Sequence, residues 1–430
     1  IVAQLINLLY NMVDRMFIGR IENGTTAMAA LSVSLPLITC ITAFTRLVGI
    51  GGAPLCAIKM GKKDQRGAEE ILGVSFAALI TVGVILTVVI LVFQRPILTL
   101  FGADPTTLDM ACDYVSIYAL GTVFVMISLG MNSYITTQGF ARTGMCTVLI
   151  GAILNIIFDA FFINYLHMGV KGAAIATIIS QLLSVFLVFW NMLRTEDVYR
   201  LVLRDLRRMD RSLLLEVLNL GLPAAVQSCL ISVSNLFVQR YINQFGSLAM
   251  AGIGAAKKVD KYVGLISNSI GLSATTFVSQ NLGAQRRDRA FRGVRICLVM
   301  SGVAVAALGI PTYFFAPALL RIFTPSPEAI AFGTAMVKVM MPLYYLQALM
   351  QIFSNAVRGF GKSLMVMVLS LLGLVVGRQI FLFFSMHFHY SVNNIYYAYP
   401  VGWGLAAVLC IIYYVFTIKR SNCPEQAAAE

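Results

Sequence analysis

The sequence predicts an all-α polytopic membrane protein: twelve transmembrane helices in two six-helix bundles related by a pseudo-two-fold parallel repeat. Composition is the first reason. Of 430 residues, 59% are hydrophobic and only 12% charged, at a mean hydropathy of +0.82. Soluble domains carry about 25% charged residues. Length is the second reason: runs of roughly 20 predominantly apolar residues, enough to cross a bilayer, recur from one end of the chain to the other. The third is a match of the chain with itself at one fixed offset.

The spans are expected near residues 1–19, 27–58, 71–93, 107–138, 144–165, 169–192, 213–243, 247–281, 293–315, 327–357, 363–386 and 395–418. Ile1 stands inside an apolar stretch, so the start of the first helix is expected to be missing. Several runs exceed what a perpendicular helix requires, which implies tilt or bending. Pro36, Pro54, Pro223, Pro342 and Pro400 supply candidate kinks. The regions that follow are an N-terminal bundle over 1–192, a linker over 193–212, a C-terminal bundle over 213–418 and a tail over 419–430. The cysteines are scattered without CxxC or other metal-ligand spacing, mostly inside apolar runs, and read as small buried hydrophobes.

The loops alternate in charge. One side holds Lys59, Lys62, Lys63 and Arg66, then Arg142, the cluster from Arg194 to Arg211, and Arg286, Arg287, Arg289, Arg292 and Arg295. Arg358, Lys362, Lys419 and Arg420 fall on the same side, whereas the opposite loops offer Arg20, Arg95, Lys171 and Arg321. Lys and Arg collect in cytoplasmic loops, so both termini are expected in the cytoplasm of a multi-pass protein of the plasma (inner) membrane. The same rule accounts for the net charge of +13 without a nucleic-acid partner. The basic stretch 193–212 reads as a partly helical cytoplasmic connector; a lipid or regulatory site there is the alternative.

The internal match lies at an offset of 222 residues. "GTTAMAAL" from Gly24 meets "GSLAMAGI" from Gly246, Gly61 meets Gly283, Phe101 meets Phe323 and Pro105 meets Pro327. After a slip of two residues, "GFART" from Gly139 meets "GFGKS" from Gly359. Six spans is an even number, so both halves enter from the same side. Transporters commonly bind substrate at the interface of such repeats and rock the halves alternately.

Polar residues inside the spans mark the candidate site. Asn155 and Asp159 stand four apart in "ILNIIFDAFFINYL" and share a helix face. Asp159 lies about six residues before span five ends, roughly 9 Å at 1.5 Å per residue. Thr177 falls at similar depth after the chain re-enters near Gly169, and Asp14 at similar depth before span one exits near Arg20. Asp14, Asn155, Asp159 and Thr177 can therefore share one layer in the outer half of the N-terminal bundle. Two carboxylates, an amide oxygen and a hydroxyl make a hard oxygen cage that suits Na⁺ or another small cation, or a shared proton. An intramembrane ionisable residue is a functional candidate by default. Asp14 has a second reading, as half of an interfacial ion pair with Arg15. Tyr114 and Tyr118 in span four fall at similar depth and join the candidates on that ground alone.

The pieces "LLYNMVDRMFIG", "GGAPLCAIKMGKKD", "LNIIFDAFFI", "GVKGAAIATIISQ" and "GLPAAVQS" resemble the multidrug and toxic compound extrusion family. The resemblance covers nearly the whole chain and is most specific in the pairing of the span-one Asp with the NxxxD of span five. The bacterial branch with staphylococcal-type multidrug exporters is nearest. It implies a secondary exporter that works by alternating access, exchanging amphipathic or cationic drugs for H⁺ or Na⁺, with no other cofactor. The family's ion-coupling residues fall on Asp14, Asn155, Asp159 and Thr177. Some members carry an acid in span seven shortly after "GLP"; here that position is Ile231.

The second half does not repeat the acids. At the repeat offset Asp14 falls on Leu236; after the slip of two residues Asn155 falls on Val375 and Asp159 on Gln379, beside Arg378. Span eight instead carries "GAAKKVDKYVG", with Lys257, Lys258, Asp260 and Lys261. One reading is an intramembrane ion pair with snorkelling lysines. The other makes Lys257, Lys258 and Asp260 cavity residues that bind an anionic group or move with transport. The alternative function is accordingly a flippase for lipid-linked precursors or other amphiphiles, from the same superfamily. Partners are small amphipathic molecules and membrane lipids, and a monomer is expected. An enzyme is disfavoured: His167, His387 and His389 are the only histidines, and neither HExxH nor GxSxG is present. Direct ATP drive is disfavoured as well, because the chain has no GxxxxGK[ST].

Overall fold

The structure is a computed structural model that describes residues 6, 13–14, 16–19, 21, 24–194, 199–202, 204–207 and 210–419. Most of the expected first span, parts of the linker and the tail beyond Lys419 lie outside the described residues. Packing divides the chain into two compact units, Ile1–Leu222 and Pro223–Glu430.

Unit 1 holds α1 (Gly24–Gly61), α2 (Gln65–Leu100), α3 (Leu108–Leu120), α4 (Thr122–Thr137), α5 (Ala141–Asp159) and α6 (Gly169–Arg194). Helices dominate because lipid leaves no partner for an unpaired backbone group. Local signals place the turns. Lys63 takes φ +60° and Asp64 caps α2 by accepting from the Gly67 N–H at 2.9 Å. Between α2 and α3, Asp104 accepts from the Thr106 and Thr107 N–H groups at 3.1 and 2.8 Å. α3 and α4 form one expected span, bent by 57° at Gly121. No proline causes this bend; a Cβ at Gly121 would land on the Ile178 side chain, so the close approach of α6 requires glycine there.

Helix α7 (Arg211–Asn243) begins in unit 1 and ends in unit 2. Unit 2 continues with α8 (Gly246–Gly283), α9 (Arg287–Phe314), the short α10 (Ala316–Arg321), α11 (Pro327–Met340), α12 (Tyr344–Gly359), α13 (Ser363–Leu371), α14 (Arg378–Phe388) and α15 (Val392–Ile412). A 3₁₀ turn containing Pro342 joins α11 to α12, and a π-helical stretch, Leu372–Gly377, joins α13 to α14. Pro36, Pro54, Pro223 and Pro400 sit inside continuous helices.

Among the described residues, nine helical stretches are long and apolar enough to cross a membrane, and the bent pair α3–α4 makes a tenth. α8 is long enough at 38 residues. Its four charges in the first half, and its serines, threonines and asparagines in the second, interrupt its apolar run. Unit 1 buries Ile41, Ile71, Leu79, Met126, Met131 and Tyr134 in its core, and unit 2 buries Val238, Ile253, Met336, Met340 and Tyr396. Outside, Val84, Ile85, Val88 and Val92 of α2 and Ile296, Val299, Val303 and Ile310 of α9 are exposed in helical rows. Exposed apolar rows of that length fit a lipid solvent and not water.

Candidate functional site

Asp159 is the last α-helical residue of α5 and is fully buried. The chain continues from it as a π-helical turn, Ala160–Tyr165, and π-turns concentrate at functional sites because they break the regular i→i−4 ladder. Asn155, one turn earlier on the same face, is 2% exposed. Its amide Nδ2 donates to Thr177 Oγ1 of α6 at 3.4 Å, and Thr177 Oγ1 donates to the Ala173 carbonyl at 3.0 Å. α5 and α6 can approach this closely because Gly151 carries no Cβ; one there would meet Ser184 Oγ.

The carboxyl of Asp159 lies against that of half-buried Asp14, within hydrogen-bonding reach. Neither oxygen of Asp159, nor Oδ1 of Asn155, receives an N–H or O–H donor among the described residues. Two carboxyls in contact, with buried acceptor oxygens around them, call for something positive between them. A proton shared by the pair answers that need, and so does a small hard cation. The donor set is all oxygen, which fits Na⁺ and offers no soft ligand for a transition metal.

The structure thus brings Asp14 to Asp159 and Asn155 to Thr177. Tyr114 and Tyr118 are buried one turn apart on α3, their rings stacked on each other with centroids 5.9 Å apart.

In unit 2 the span-eight residues separate. Lys258 is exposed and lies over the Phe323 ring, 5.1 Å from its centroid. Lys257 is half-buried; its Nζ donates to Gln239 Oε1 at 3.4 Å and stands 5.8 Å from the Tyr399 ring centroid. Asp260 is a charge neighbour of Lys257, yet the two do not come within ion-pair distance. Its backbone carbonyl accepts from the Tyr344 hydroxyl at 3.1 Å, while its own Oδ1 is buried without a donor.

Sequence reasoning noted Arg378 only as a sign of asymmetry and missed its surroundings. Arg378 is 4% exposed, donates from Nη2 to Ser234 Oγ at 2.6 Å, and lies 5.6 Å from the Tyr399 ring centroid. Gln379, at the repeat position of Asp159, donates to the Ser234 carbonyl and to Ser234 Oγ, both at 2.9 Å. The available signal was an arginine midway along an apolar span, which is expensive unless it works. Its partners Ser234 and Tyr399 come from two other helices, α7 and α15, and no local spacing announces them.

Comparison with known proteins places this geometry in a family. The sequence profile of the MatE family matches residues 1–161 and again 223–382, one stretch in each unit. The chain is similar to "Probable multidrug resistance protein YoeA" of Bacillus subtilis (strain 168), 26% identical over 96% of this chain and 90% of that one. It is also similar to "Multidrug export protein MepA" of Staphylococcus haemolyticus (strain JCSC1435), 23% identical over 84% of this chain and 79% of that one. Among solved structures, a MATE crystallised in complex with MaL6 shares the fold at a TM-score of 0.91, with 20% identity, over 97% of this chain and 94% of that one. Two matched stretches that together span most of the chain, in a fold of two helical bundles, leave one conclusion: this chain belongs to the MatE family, the multidrug and toxic compound extrusion transporters.

Proposed function

We propose that the chain is a secondary exporter of amphipathic and cationic small molecules, driven by entry of H⁺ or Na⁺ through the layer of Asp14, Asn155, Asp159 and Thr177. The observation that carries this reading is the contact of the Asp14 and Asp159 carboxyls, with both buried oxygens of Asp159 lacking an N–H or O–H donor among the described residues. A proton or Na⁺ bound there neutralises the pair and favours the conformation that makes this layer compact. Its departure leaves two like charges in low dielectric and favours the other conformation. Alternating access needs that kind of differential stabilisation, because a ligand with equal affinity for both states shifts nothing. The multidrug names of the similar Bacillus and Staphylococcus proteins support a drug-like cargo. The Lys and Arg asymmetry supports a plasma-membrane protein with both termini cytoplasmic. The chain acts as a monomer in contact with lipid.

Efflux of ethidium from everted vesicles or loaded cells, under an imposed ΔpH or Na⁺ gradient, tests the reading. Asp14→Asn and Asp159→Asn should each reduce gradient-driven efflux to the leak level while expression and melting temperature hold, and the gradient that drives the wild type names the ion. Unchanged efflux in both variants would make these acids structural. A second reading, a flippase for lipid-linked precursors or other amphiphiles, is favoured by one observation: Arg378, with Lys257 on the same aromatic ring, sits buried in unit 2. It becomes the leading one if the wild type moves no cationic dye under either gradient.

A further inference from the structure

The mechanism above uses no residue of unit 2, yet that unit gathers two cations, Lys257 and Arg378, inside its apolar helices. Four helical segments converge there at matching depth. Counted from the helix ends at Asn243, Gly246, Phe388 and Val392, the residues Ser234, Lys257, Arg378 and Tyr399 lie roughly 10–17 Å in, at about 1.5 Å per residue. The guanidinium of Arg378 and the ammonium of Lys257 both stand within 6 Å of the Tyr399 ring centroid, at 5.6 and 5.8 Å. They are charge neighbours of one another.

Neither cation has a carboxylate at ion-pair distance among the described residues. Arg378 spends one nitrogen on the Ser234 hydroxyl, and its Nε is buried without an acceptor. Lys257 has the amide oxygen of Gln239. Asp260 is the acid nearby, and it too keeps an unfilled buried oxygen. Two cations beside one carboxylate leave a surplus positive charge in an apolar bundle, and one buried donor, the Arg378 Nε, without an acceptor. A buried charge is retained when a partner compensates it. Guanidinium forks match carboxylate and phosphate oxygens in particular.

We propose that Arg378 and Lys257, gathered on the Tyr399 ring, form a binding site for the anionic head, carboxylate or phosphate, of an amphiphile. The Nε of Arg378 supplies the free donor, Ser234 and Gln239 hold the two cations apart, and Tyr399 with Trp403 offers apolar surface to the adjoining tail. The Tyr399 and Trp403 rings lie 6.4 Å apart, centroid to centroid. Asp260 opposes an anion here, so its neutralisation should tighten the site. The inference names a cargo or lipid class for unit 2 and rests on the transport reading for its purpose. Its test reads binding alone, and so fails or succeeds independently of any gradient.

Trp190→Phe leaves Trp403 as the only tryptophan of the chain, which holds 2. Its emission is followed in nanodiscs of phosphatidylcholine while 4-(4-bromophenyl)butyrate or its methyl ester is added, since heavy-atom quenching requires near contact. The acid should bind the full-length protein at least about tenfold tighter than the ester, the low end of what a charge-assisted hydrogen bond supplies. Arg378→Gln and Lys257→Gln should each bring the ratio toward one, Arg378→Lys should retain part of it, and Asp260→Asn should raise it. Phosphatidylglycerol added to the nanodiscs separates the two sources of the head. Loss of tight acid binding in its presence, with the residual weak binding of Arg378→Gln unaffected, assigns the site to a membrane lipid; unchanged acid binding assigns it to a diffusible amphiphile. Equal affinity for acid and ester in the wild type overturns the proposal. So does a ratio that survives either neutralising substitution in protein of unchanged melting temperature.

Discussion

Single residues at the loop ends fix how the long helices begin. Asp64 does two jobs in the turn between α1 and α2: its Oδ1 accepts from the Gly67 N–H at 2.9 Å, and its Oδ2 accepts from Lys59 Nζ at 2.9 Å. The Lys59 ammonium first, and the Gly67 N–H second, hold this carboxyl below the usual carboxylate range. A group lowered on folding stabilises fully above its unfolded pKa, about 3.9 for Asp, and that contribution fades as pH falls through the lowered folded value. Asp64→Ala should therefore cost about 0.5–2 kcal/mol at neutral pH, mainly as a lost helix cap. The ion pair adds little, since the side chain is 40% exposed and water screens it. Thermal melts of wild type and variant should differ by a constant amount above about pH 5 and converge below about pH 4. A gap that persists undiminished in acid would show that packing, not the charge, makes the contribution. Asp104 is built the same way. The Thr106 and Thr107 hydroxyls, then the Thr107 N–H, hold its carboxyl below the usual range.

At the scale of helices, close crossings are set by residues without side chains. Where α8 meets α11, a Cβ on Gly252 would land on the Ala329 carbonyl, and one on Gly333 would press on the Gly252 carbonyl and the Leu320 side chain. Membrane helices associate through such small-residue contacts because lipid gives them no hydrophobic drive. Gly252→Ala must push backbone from backbone and should cost about 1–3 kcal/mol. Gly254, two residues on, has nothing within 4 Å of its virtual Cβ, so Gly254→Ala should be neutral or slightly stabilising. Melting temperatures of the two purified variants make the comparison, and equal shifts would sink the crossing argument. Much of this architecture was legible in advance. A span must be long and apolar whatever its neighbours are, and the repeat paired Gly24 with Gly246 before any contact was known. Asn155 and Asp159 were legible for the same local reason, a shared face four residues apart. The bend at Gly121 was not, because its cause is Ile178 on another helix, and Gln239 and Tyr399 beside Lys257 were not for the same reason.

For the molecule as a whole, the segment that follows α6 is bound to unit 1 along much of its described length. Tyr199 and Leu201 are 1% and 2% exposed. Gln138 Nε2 donates to the Tyr199 carbonyl at 2.7 Å, and the Tyr199 hydroxyl donates to the Tyr134 carbonyl at 3.1 Å. Asp205, 3% exposed, takes both guanidinium nitrogens of Arg66 at 2.6 and 2.8 Å, and its Cβ rests against Gly73. A stretch whose composition says only "basic connector" thus carries a buried acid, Asp205, and that acid, through Arg66, ties the connector to the start of α2. Arg66 itself is half-exposed, so the pair stabilises by less than a fully buried one. The asymmetry shows on removal: Arg66→Ala leaves a buried carboxylate with its bidentate partner gone, which costs about 1–3 kcal/mol. Asp205→Ala, which removes the buried charge and leaves Arg66 free to reach water, should cost less. Arg204 is exposed beside the anchor and offers a site for trypsin. Limited proteolysis should therefore cut Arg66→Ala near Arg204 several-fold faster than wild type, with Asp205→Ala between them and the double variant close to Asp205→Ala, since once the carboxylate is gone Arg66 keeps only Glu69 and Glu70 of its own helix and no longer holds the segment. Equal cleavage rates in all four proteins would mean that Tyr199 and Leu201 anchor the segment alone, and that the ion pair is a consequence of the docking and not a cause.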